Sequence, residues 1–457
     1  MNKVKFEKSI IKRLHYPSVI LCFACCVMNA CSSGEDSMED TFLSSEYNIY
    51  IIDNDTISYS TEEIAEPFNN TDKMINSALE DYSITMLIDY SKNNKKNTLL
   101  SPMSATLLYS MISNLTDDTS GHLFQKQLGL DKFNSDDVNS YCRKLNYRTK
   151  QSEKTNKEFS KFSMSNNCWI QKDEAVYRSF MSMTKSFGIG VKGVDFKSLS
   201  GLTVIGESLK GMSSSKSYDI DMTSLNDVTS VVTSSMDLEK KWKHNVTQVK
   251  NQTFNNADGT VSTCSAIGGT LTVKYGKYES FDMAELPYSD GEFSLYVIYP
   301  HSVDSFDQSL TYIQDIGIEK CIDDLEETKV SIRIPTFKFE GITELNSVSV
   351  SSGSAGKQFY QAKLTKASPK GFNIGNTYQA YRIELNSQGT SVEVKSSGKV
   401  DASNESNKKI EPIGPGSTPE GGIILPQMHI VRPFVILIRN NVLKTVAYAC
   451  GIKDLSE

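Results

Sequence analysis

The residues of this chain best suited to a chemical event lie in segment 387–426, and the event that they suit is cleavage by a protease. Small or polar side chains form the candidate scissile positions: Val400, Ala402, Ser403 and Asn404. Lys408 and Lys409 offer an alternative site to trypsin-like enzymes, or are only a solvated charge pair. Prolines and glycines from position 412 onward prevent regular structure, and exposed segments of this kind attract proteolysis. We therefore predict an exposed bait loop.

The bait loop opens with a segment that alternates like a β-strand. The residues on one face of that strand would be Thr390, Val392, Val394 and Ser396. The residues on the other face would be Ser391, Glu393, Lys395 and Ser397. Because alternate side chains of a strand point to opposite faces, the segment could pair in a sheet with its charges outward. We hypothesise a bait loop joined to a latent strand.

Residues for catalysis by the chain itself are scarce. The sequence has 5 histidines and neither a Gly-x-Ser-x-Gly nor a His-Glu-x-x-His motif. His429 lies just before an apolar segment, so we interpret it as a strand-end residue and not as a catalytic base. We expect no enzymatic activity, no metal site and no cofactor. A hydrolase is an alternative that only turnover of ester or peptide substrates would support.

The composition limits the class of protein. With 457 residues, of which 39% are hydrophobic, the chain can bury a large core. A formal net charge of -7 and a pI near 5.5 provide no basic surface for nucleic acid. The 9 cysteines include no Cys-x-x-Cys pair after position 31, so we expect buried free thiols and not a zinc site or a disulfide framework. We expect a monomer that binds no nucleic acid.

The N-terminus has the features of an export signal. An apolar run at positions 19–28 is too short to cross a bilayer as a helix. Basic residues precede it: Lys3, Lys5, Lys8, Lys12 and Arg13. Positions 28–31 resemble a bacterial lipoprotein cleavage box, in which Cys31 would carry the lipid, and positions 32–36 resemble the acidic export signal of surface lipoproteins in Bacteroidetes-type bacteria. We expect a lipid-anchored protein of the cell envelope, at the outer-membrane surface, with plain secretion as the alternative.

Three parts of the chain follow from these features. Positions 1–30 are predicted to be the lipoprotein signal peptide, and the acidic positions 31–70 a tether that holds the rest off the membrane. The domain proper would be 71–457, with its loop at about 387–426. Apolar residues recur at helical spacing between positions 74 and 90.

Strand-like segments dominate the later part of the domain. They lie at positions 271–275, 295–299, 332–339 and 435–439. Helices followed mainly by strands predict an α+β domain with a large, mostly antiparallel sheet system.

Short motifs along the domain resemble those of the serpins, in the same serial order. They are 97–104 (Asn-x-x-x-Ser-Pro-x-Ser), 165–171, 194–196 (Val-Asp-Phe), Trp242, 286–288 (Leu-Pro-Tyr), 330–338 (Pro-x-Phe-Lys) and 432–439 (Arg-Pro-Phe). Each motif alone occurs by chance, but the ordered series covers about 71–452. For Ser101 and Ser104 of the first motif, we expect helix capping and packing.

This resemblance implies a serpin-like fold, in which helices pack on a large main sheet with smaller sheets and an exposed reactive loop. It also implies suicide inhibition of extracellular serine or cysteine proteases. In that mechanism the target cuts the loop, which then inserts as a new strand in the main sheet and carries the acylated enzyme with it.

The hinge of the loop resembles that of the family in part. Glu384, Gly389 and Thr390 match the family motif Glu-Val-Asn-Glu-Glu-Gly-Thr. The small residues expected next are replaced, and the bulkier Val392 and Val394 should slow insertion. Once inside the sheet, each valine would contribute roughly 1.5–3 kcal/mol. The equilibrium therefore favours insertion, whereas the rate is in question.

The loop is also longer than the family's. Counted forward from the hinge, the family's cut falls near Ser403, and counted back from Arg432 it falls near Gly422, a difference of about 19 residues. At about 3.3 Å per residue, this is roughly 63 Å of slack. We expect elastase- or subtilisin-like enzymes that cut within 400–405 to be trapped. Trypsin-like enzymes that cut at the lysine pair should treat the protein as a substrate.

The principal alternative is a serpin fold without inhibition, in a surface binding or structural protein. The altered hinge and the long loop favour it. An unchanged melting temperature after loop cleavage would support it, because insertion of the strand stabilises inhibitory members of the family.

Overall fold

The computed structural model describes residues 50–52, 61–92, 96–155, 160–210, 228–345, 363–392 and 425–456. All of them belong to one compact unit, Phe42–Glu457. None of the described helices is long and apolar enough to cross a membrane.

Helices are concentrated in the first half of the chain. They are α1 (Thr61–Ala65), α2 (Asn70–Lys92), α3 (Pro102–Leu115), α4 (Asp118–Gln127), α5 (Ser135–Lys154), α6 (Arg178–Ser186), α7 (Leu199–Lys210), α8 (Ser305–Ile316) and α9 (Ile318–Asp323). Helix α2 contains the predicted helical positions 74–90. Helix α4 begins after Asp117, whose side chain accepts a hydrogen bond from the Ser120 N–H and so satisfies a free donor of the first turn.

Strands dominate the second half of the chain. They are β1 (Tyr50–Ile52), β2 (Thr98–Leu100), β3 (Ser160–Gln171), β4 (Ala175–Tyr177), β5 (Ile189–Val194), β6 (Ser230–Lys241), β7 (Thr247–Asn255), β8 (Val261–Lys277), β9 (Phe281–Pro287), β10 (Phe293–Pro300), β11 (Glu326–Pro335), β12 (Phe337–Glu344), β13 (Lys363–Leu364), β14 (Phe372–Leu385), β15 (Gly389–Val392), β16 (Gln427–His429), β17 (Phe434–Asn440) and β18 (Thr445–Ile452).

Two large sheets contain most of these strands. The main sheet has the order β12-β14-β15-β6-β3-β5, with β13 paired to β14. The second sheet has the order β16-β11-β8-β9-β10-β17-β18-β2, with β7 paired to β8. Among the described strands of both sheets, only β3–β5, β6–β14 and β11–β16 are parallel. The predicted α+β fold with a large, mostly antiparallel main sheet is therefore confirmed.

Helix α3 forms the centre of the core between the two sheets. It packs against β3 and β6 of the main sheet and against β18 of the second sheet. Every residue of α3 except Asn114 is buried. Strands β10, β17 and β18 are buried at every position, as their mainly apolar sequences predict for strands covered on both faces of a sheet.

The strand predicted at positions 332–339 is wrong as a continuous element. Strand β11 ends at Pro335 in the second sheet, and β12 begins at Phe337 in the main sheet. Pro335 has no N–H to continue a ladder, and the Thr336 N–H donates to the carbonyl of Ser265 at 2.8 Å. The chain therefore crosses from one sheet to the other at this point, which a single apolar pattern does not reveal.

Part of the predicted tether packs on the domain. Strand β1 pairs in parallel with β4, so that Ile52 lies opposite Tyr177. The Tyr177 N–H donates to the carbonyl of Ala367 at 2.9 Å, just before β14. Helix α1 lies against α5, where Glu63 forms an ion pair with Arg143 at 3.4 Å.

Candidate functional site

The main sheet is closed at one end and split at the other. Strands β14 and β6 pair directly from Ile374, opposite Ser230, to Gln379, opposite Ser234. Beyond this point β15 lies between them and pairs antiparallel with both. We call the boundary between β6 and β14 the slot, and β15 the seated hinge. The first residues of the predicted loop thus already form a short strand of the main sheet.

The seated hinge has a defined register in the slot. Gly389 lies opposite Lys241 of β6, and Val392 lies opposite Leu238. On the other side, Thr390 lies opposite Leu385 of β14. Both Gly389 and Thr390 are buried.

A tight turn reverses the chain between β14 and the seated hinge. The Asn386 N–H donates to the carbonyl of Gly389 at 3.0 Å, and the Asn386 side-chain oxygen accepts from the Gln388 N–H at 2.8 Å. The indole N–H of Trp242 donates to the Asn386 carbonyl at 2.9 Å. A side chain at Gly389 would overlap the carbonyl oxygen of Lys240. Only glycine therefore allows β6 and the hinge to approach this closely.

Thr390 is held by a buried aromatic pair. Its Oγ1 accepts a hydrogen bond from the Tyr288 hydroxyl at 2.9 Å. Tyr288 stacks on Trp242, with ring centroids 5.0 Å apart. Burial raises the pKa of Tyr288 above its ordinary value, so the phenol keeps the proton that it donates. The hydroxyl of Thr390 therefore enters the sheet without being left unpaired.

Glu384 lies at the edge of the same end of the slot. Its carboxylate pairs with Lys338 of β12 at 3.5 Å and accepts from the Asn386 side-chain amide at 3.0 Å. Both charged side chains are partly exposed, so this pair contributes little to stability. Its effect is to orient Asn386 at the turn.

A buried polar cluster lies where the slot is closed. We call it the central polar cluster: Ser101, Ser104, Asn166, Ser234 and Gln379. The Ser104 hydroxyl donates to Asn166 Oδ1 at 2.9 Å and contacts the Ser234 hydroxyl. The Ser101 N–H donates to Gln379 Oε1 at 3.0 Å, and Gln379 Nε2 donates to the Ser101 carbonyl at 2.9 Å. The cluster therefore ties β3, β6 and β14 to the start of α3.

The capping role expected for the first serine motif is not observed. The side chain of Ser101 makes no capping hydrogen bond, and its hydroxyl contacts the sulfur of Met236 at 3.7 Å. The backbone N–H of Ser101 is satisfied by Gln379 of the main sheet. The serines join the helix to the sheet because the slot closes directly over the start of α3.

The structure brings together only part of the predicted site. Glu384 ends β14 near the turn, and Gly389, Thr390 and Val392 form β15 with Ser391. Several predicted positions lie outside the described residues: Cys31, Val394, Val400, Ala402, Ser403, Asn404, Lys408 and Lys409.

The sequence placed Asn166 and Asn386 inside family-like motifs without indicating a role for them, and it did not point to Gln379. A turn-forming asparagine three positions before a glycine was a readable signal for Asn386. Gln379 had no such signal, because its importance follows from the strand register alone.

The main sheet thus already holds β15, the start of the predicted loop, as a strand between β14 and β6. The family model described as serpin (serine protease inhibitor) matches residues 77–451. The chain therefore belongs to the serpin family. Members of this family are generally protease inhibitors, whose general partner is a target protease.

Individual relatives are distant in sequence. The chain is 24% identical to an uncharacterized serpin-like protein of Methanosarcina mazei over 234 residues, which are 49% of this chain and 54% of the relative. It is 24% identical to alaserpin of Manduca sexta over 283 residues, 59% of this chain and 68% of the relative. The chain thus matches about half the length of the first relative.

The fold is similar to that of solved serpins. The structure of Serpin48, a highly specific serpin of the insect Tenebrio molitor, superposes with a TM-score of 0.64 at 17% identity. The match covers 85% of this chain and 100% of that chain. At this identity the likeness supports the fold and not a shared target.

Proposed function

We propose that the protein is a suicide inhibitor of extracellular serine or cysteine proteases, which acts by loop cleavage and strand insertion. The observation that carries this proposal is the seated hinge, because four residues of the loop already occupy the slot in the register that insertion requires. After cleavage, insertion would lengthen the existing strand β15 and would not have to start a new strand.

The length of the slot supports the predicted cleavage region. Each step forward along the loop moves one residue back along β6, on which Val392 lies opposite Leu238. Continuing this register brings Val400 opposite Ser230, where β6 begins. A cut within 400–405 therefore leaves almost no free chain between the filled slot and the bound enzyme. The short connection would pull on the acyl-enzyme and distort the oxyanion hole and base that complete its reaction.

A cut farther along the loop has a different result. Cleavage at Lys408 or Lys409 leaves additional chain outside the slot, so the enzyme can complete hydrolysis before it is distorted. We therefore propose elastase- or subtilisin-like enzymes as the targets that are trapped. Trypsin-like enzymes would cleave the protein as a substrate and be released.

Inhibition requires that the closed end of the slot stays closed until the target protease cuts the loop. The hydrogen bonds of Gln379 with Ser101 join β14 to α3 at this end. They must be disturbed before a longer strand can enter, which provides a kinetic barrier to a state of lower free energy.

We also propose that the mature chain is anchored by a lipid on Cys31 at the outer-membrane surface, with secretion as the alternative. The sequence motif at positions 28–31 supports this proposal.

A serpin-fold binding protein without inhibitory activity is the second candidate. The long loop favours it, because extra chain beyond the slot would let the protease complete hydrolysis undistorted. Val392 and Val394 favour it too, because slow insertion would give the protease time to complete hydrolysis.

The test is incubation of the purified protein with elastase-, subtilisin-, trypsin- and papain-like proteases, followed by a denaturing gel and mass spectrometry. We expect a denaturant-resistant complex with the loop severed within 400–405. Thr390→Arg is the control, since it places a charge at a buried hinge position and should convert the inhibitor to a substrate. Cleavage without a complex for every enzyme, and without a rise in thermal stability, would leave only the non-inhibitory candidate.

A further inference from the structure

A small cavity lies where α2, α3, α5 and β18 meet. Residues of all four elements line it, and every one of them is buried. Its volume for a water-sized sphere is about 10 Å³. A site for one water needs roughly 10–15 Å³ by that measure. The cavity therefore has room for a single water and for nothing larger. Its polar lining residues are Asn76, Glu80, Ser83, Thr106, Tyr141 and Thr445.

One wall of this cavity carries a hydroxyl without a protein partner. Thr445 is the first residue of β18, lies opposite Asn440 of β17 and is 5% exposed. Its Oγ1 forms no hydrogen bond with any of the described residues. A buried hydroxyl in this condition is costly, and such groups are few in native proteins. The cavity that Thr445 lines is a place from which a small partner can reach it.

The α2 side of the cavity provides hydrogen-bond acceptors. The Glu80 carboxylate accepts from Arg439 Nε at 2.5 Å and from Arg439 Nη2 at 3.2 Å. Because an ionised carboxylate has about four acceptor sites, this pair leaves part of its capacity unused. The Ser83 hydroxyl donates to the Leu79 carbonyl at 2.9 Å, so its oxygen can still accept. The cavity thus offers one unused hydroxyl and several acceptor positions, which matches the set of partners that a buried water requires.

We infer that this cavity is a binding site for one ordered water, which accepts the Thr445 O–H and donates to the Glu80 carboxylate. A water has two protons and can also accept, so its second proton can reach the Ser83 hydroxyl. The bound water joins β18 to α2 at a point where the two make no direct side-chain bond through Thr445. It also solvates the buried Glu80–Arg439 ion pair, whose burial removes both charges from solvent. This inference does not depend on the proposed function.

The experiment compares Thr445→Val with Thr98→Val in the full-length protein, by the midpoint of thermal unfolding. Thr98 of β2 lies opposite Gly451 of β18, is 1% exposed and does not line this cavity. Its hydroxyl also lacks a partner in the described part of the chain. Both substitutions keep the shape of the side chain and remove only the hydroxyl.

We expect the two variants to differ in direction. Thr445→Val takes a partner from the bound water, so its midpoint should lie about 1–4 °C below that of the wild type. Thr98→Val replaces a hydroxyl that has no partner, so its midpoint should equal or exceed that of the wild type. If Thr445→Val unfolds at or above the wild type, its hydroxyl has no partner and the water site is wrong. Equal losses in both variants would also overturn the site, because the cavity would then not be the cause.

Crystal structures of the wild type and the variants provide a readout that a change in packing alone does not reproduce. At a resolution that shows other buried waters, the wild type should have a density peak within hydrogen-bond distance of Thr445 Oγ1 and of a Glu80 carboxylate oxygen. The peak should persist in Thr445→Ser, which keeps the hydroxyl, and be lost or displaced in Thr445→Val. A cavity without density in the wild type, or a Thr445 hydroxyl bonded directly to a protein group, would overturn the inference.

Discussion

Gly389 shows how the site depends on the absence of a side chain. The position lies opposite Lys241 at the mouth of the slot, and a Cβ there would overlap the carbonyl oxygen of Lys240. The hinge can therefore be seated in this register only with glycine.

We expect Gly389→Ala to displace the seated hinge from the slot. The amide protons of Thr390 and its strand neighbours should then exchange faster, as hydrogen–deuterium exchange can measure. Gly269→Ala is the control, because the nearest atom to an added Cβ there lies 3.8 Å away. Unchanged protection of the hinge in Gly389→Ala would contradict the close approach to Lys240.

The hydrogen bond from the Tyr288 hydroxyl to Thr390 Oγ1 is a second contact that a single substitution can test. Tyr288→Phe removes the donor and leaves the buried Thr390 hydroxyl unpaired, so we expect the free energy of unfolding to fall by about 1–3 kcal/mol. Thr390→Val should remove most of that penalty when the two changes are combined. Urea unfolding of the four proteins of this cycle measures the coupling, and purely additive effects would show that the bond is not formed.

Single residues were predictable only where a motif identified them. Trp242 and the Leu-Pro-Tyr segment that contains Tyr288 were noted in the sequence, and the structure stacks their rings. Gln379 was not noted, because its role depends on lying over the start of α3 and not on its sequence neighbours.

At the scale of elements, β16 is an edge strand among the described strands of the second sheet. It has three residues, comes directly after the loop and ends the strand order of the second sheet, where it pairs with β11. His429 Nε2 lies 3.0 Å from the Ser331 hydroxyl across that pairing. Burial, and then the neighbouring Arg333, lower the pKa of His429 below its ordinary value.

We expect acidification to lower the free energy of unfolding through protonation of His429 in this strand. Because the folded protein binds the His429 proton less tightly than the unfolded chain, protonation below the ordinary pKa of 6.5 favours unfolding. The stability contributed by neutral His429 is present above pH 6.5 and is lost as the pH falls towards the lowered pKa. Urea unfolding at pH 7.5 and 5 should show a smaller loss for His429→Gln than for the wild type. His122→Gln, at an exposed position of α4, serves as control, and equal losses in wild type and His429→Gln would contradict the assignment.

Elements were predictable where one pattern matched one environment. The apolar runs of β10 and β17 and the helical spacing of α2 correspond to elements of the structure. The change of sheet at Thr336 and the seating of β15 were not predictable, because both are decided by which strands lie alongside and not by local alternation.

At the scale of the whole molecule, the serial order of short motifs sufficed to predict the fold. The order of motifs was informative because the motifs fall on strands, turns and the start of α3, whose positions the sheet arrangement restricts. The arrangement of the N-terminal segment could not be derived in this way, since its short strand depends on the distant partner β4.

The proposed lipid anchor leads to a prediction for the intact protein. Expressed with its own N-terminus in a bacterium that processes lipoproteins, the wild type should sediment with membranes and carry the mass of the lipid. Cys31→Ala should appear in the soluble fraction, and Cys264→Ala, at a partly buried position of β8, should behave as the wild type. A Cys31→Ala protein that stays with membranes would exclude this anchor.

The pairing of β1 with β4 has a consequence for where a captured enzyme comes to rest. Strand β4 follows the end of β3 that lies opposite Ser230, whereas the hinge enters the slot at the other end of β6, opposite Lys241. Complete insertion would therefore transport the protease along the length of the main sheet to the end at which the N-terminal segment is attached. From Cys31 to Tyr50 the chain can extend at most roughly 68 Å. Under the proposed anchoring and insertion, a trapped enzyme would therefore come to rest at the end of the domain from which the chain leads back to Cys31.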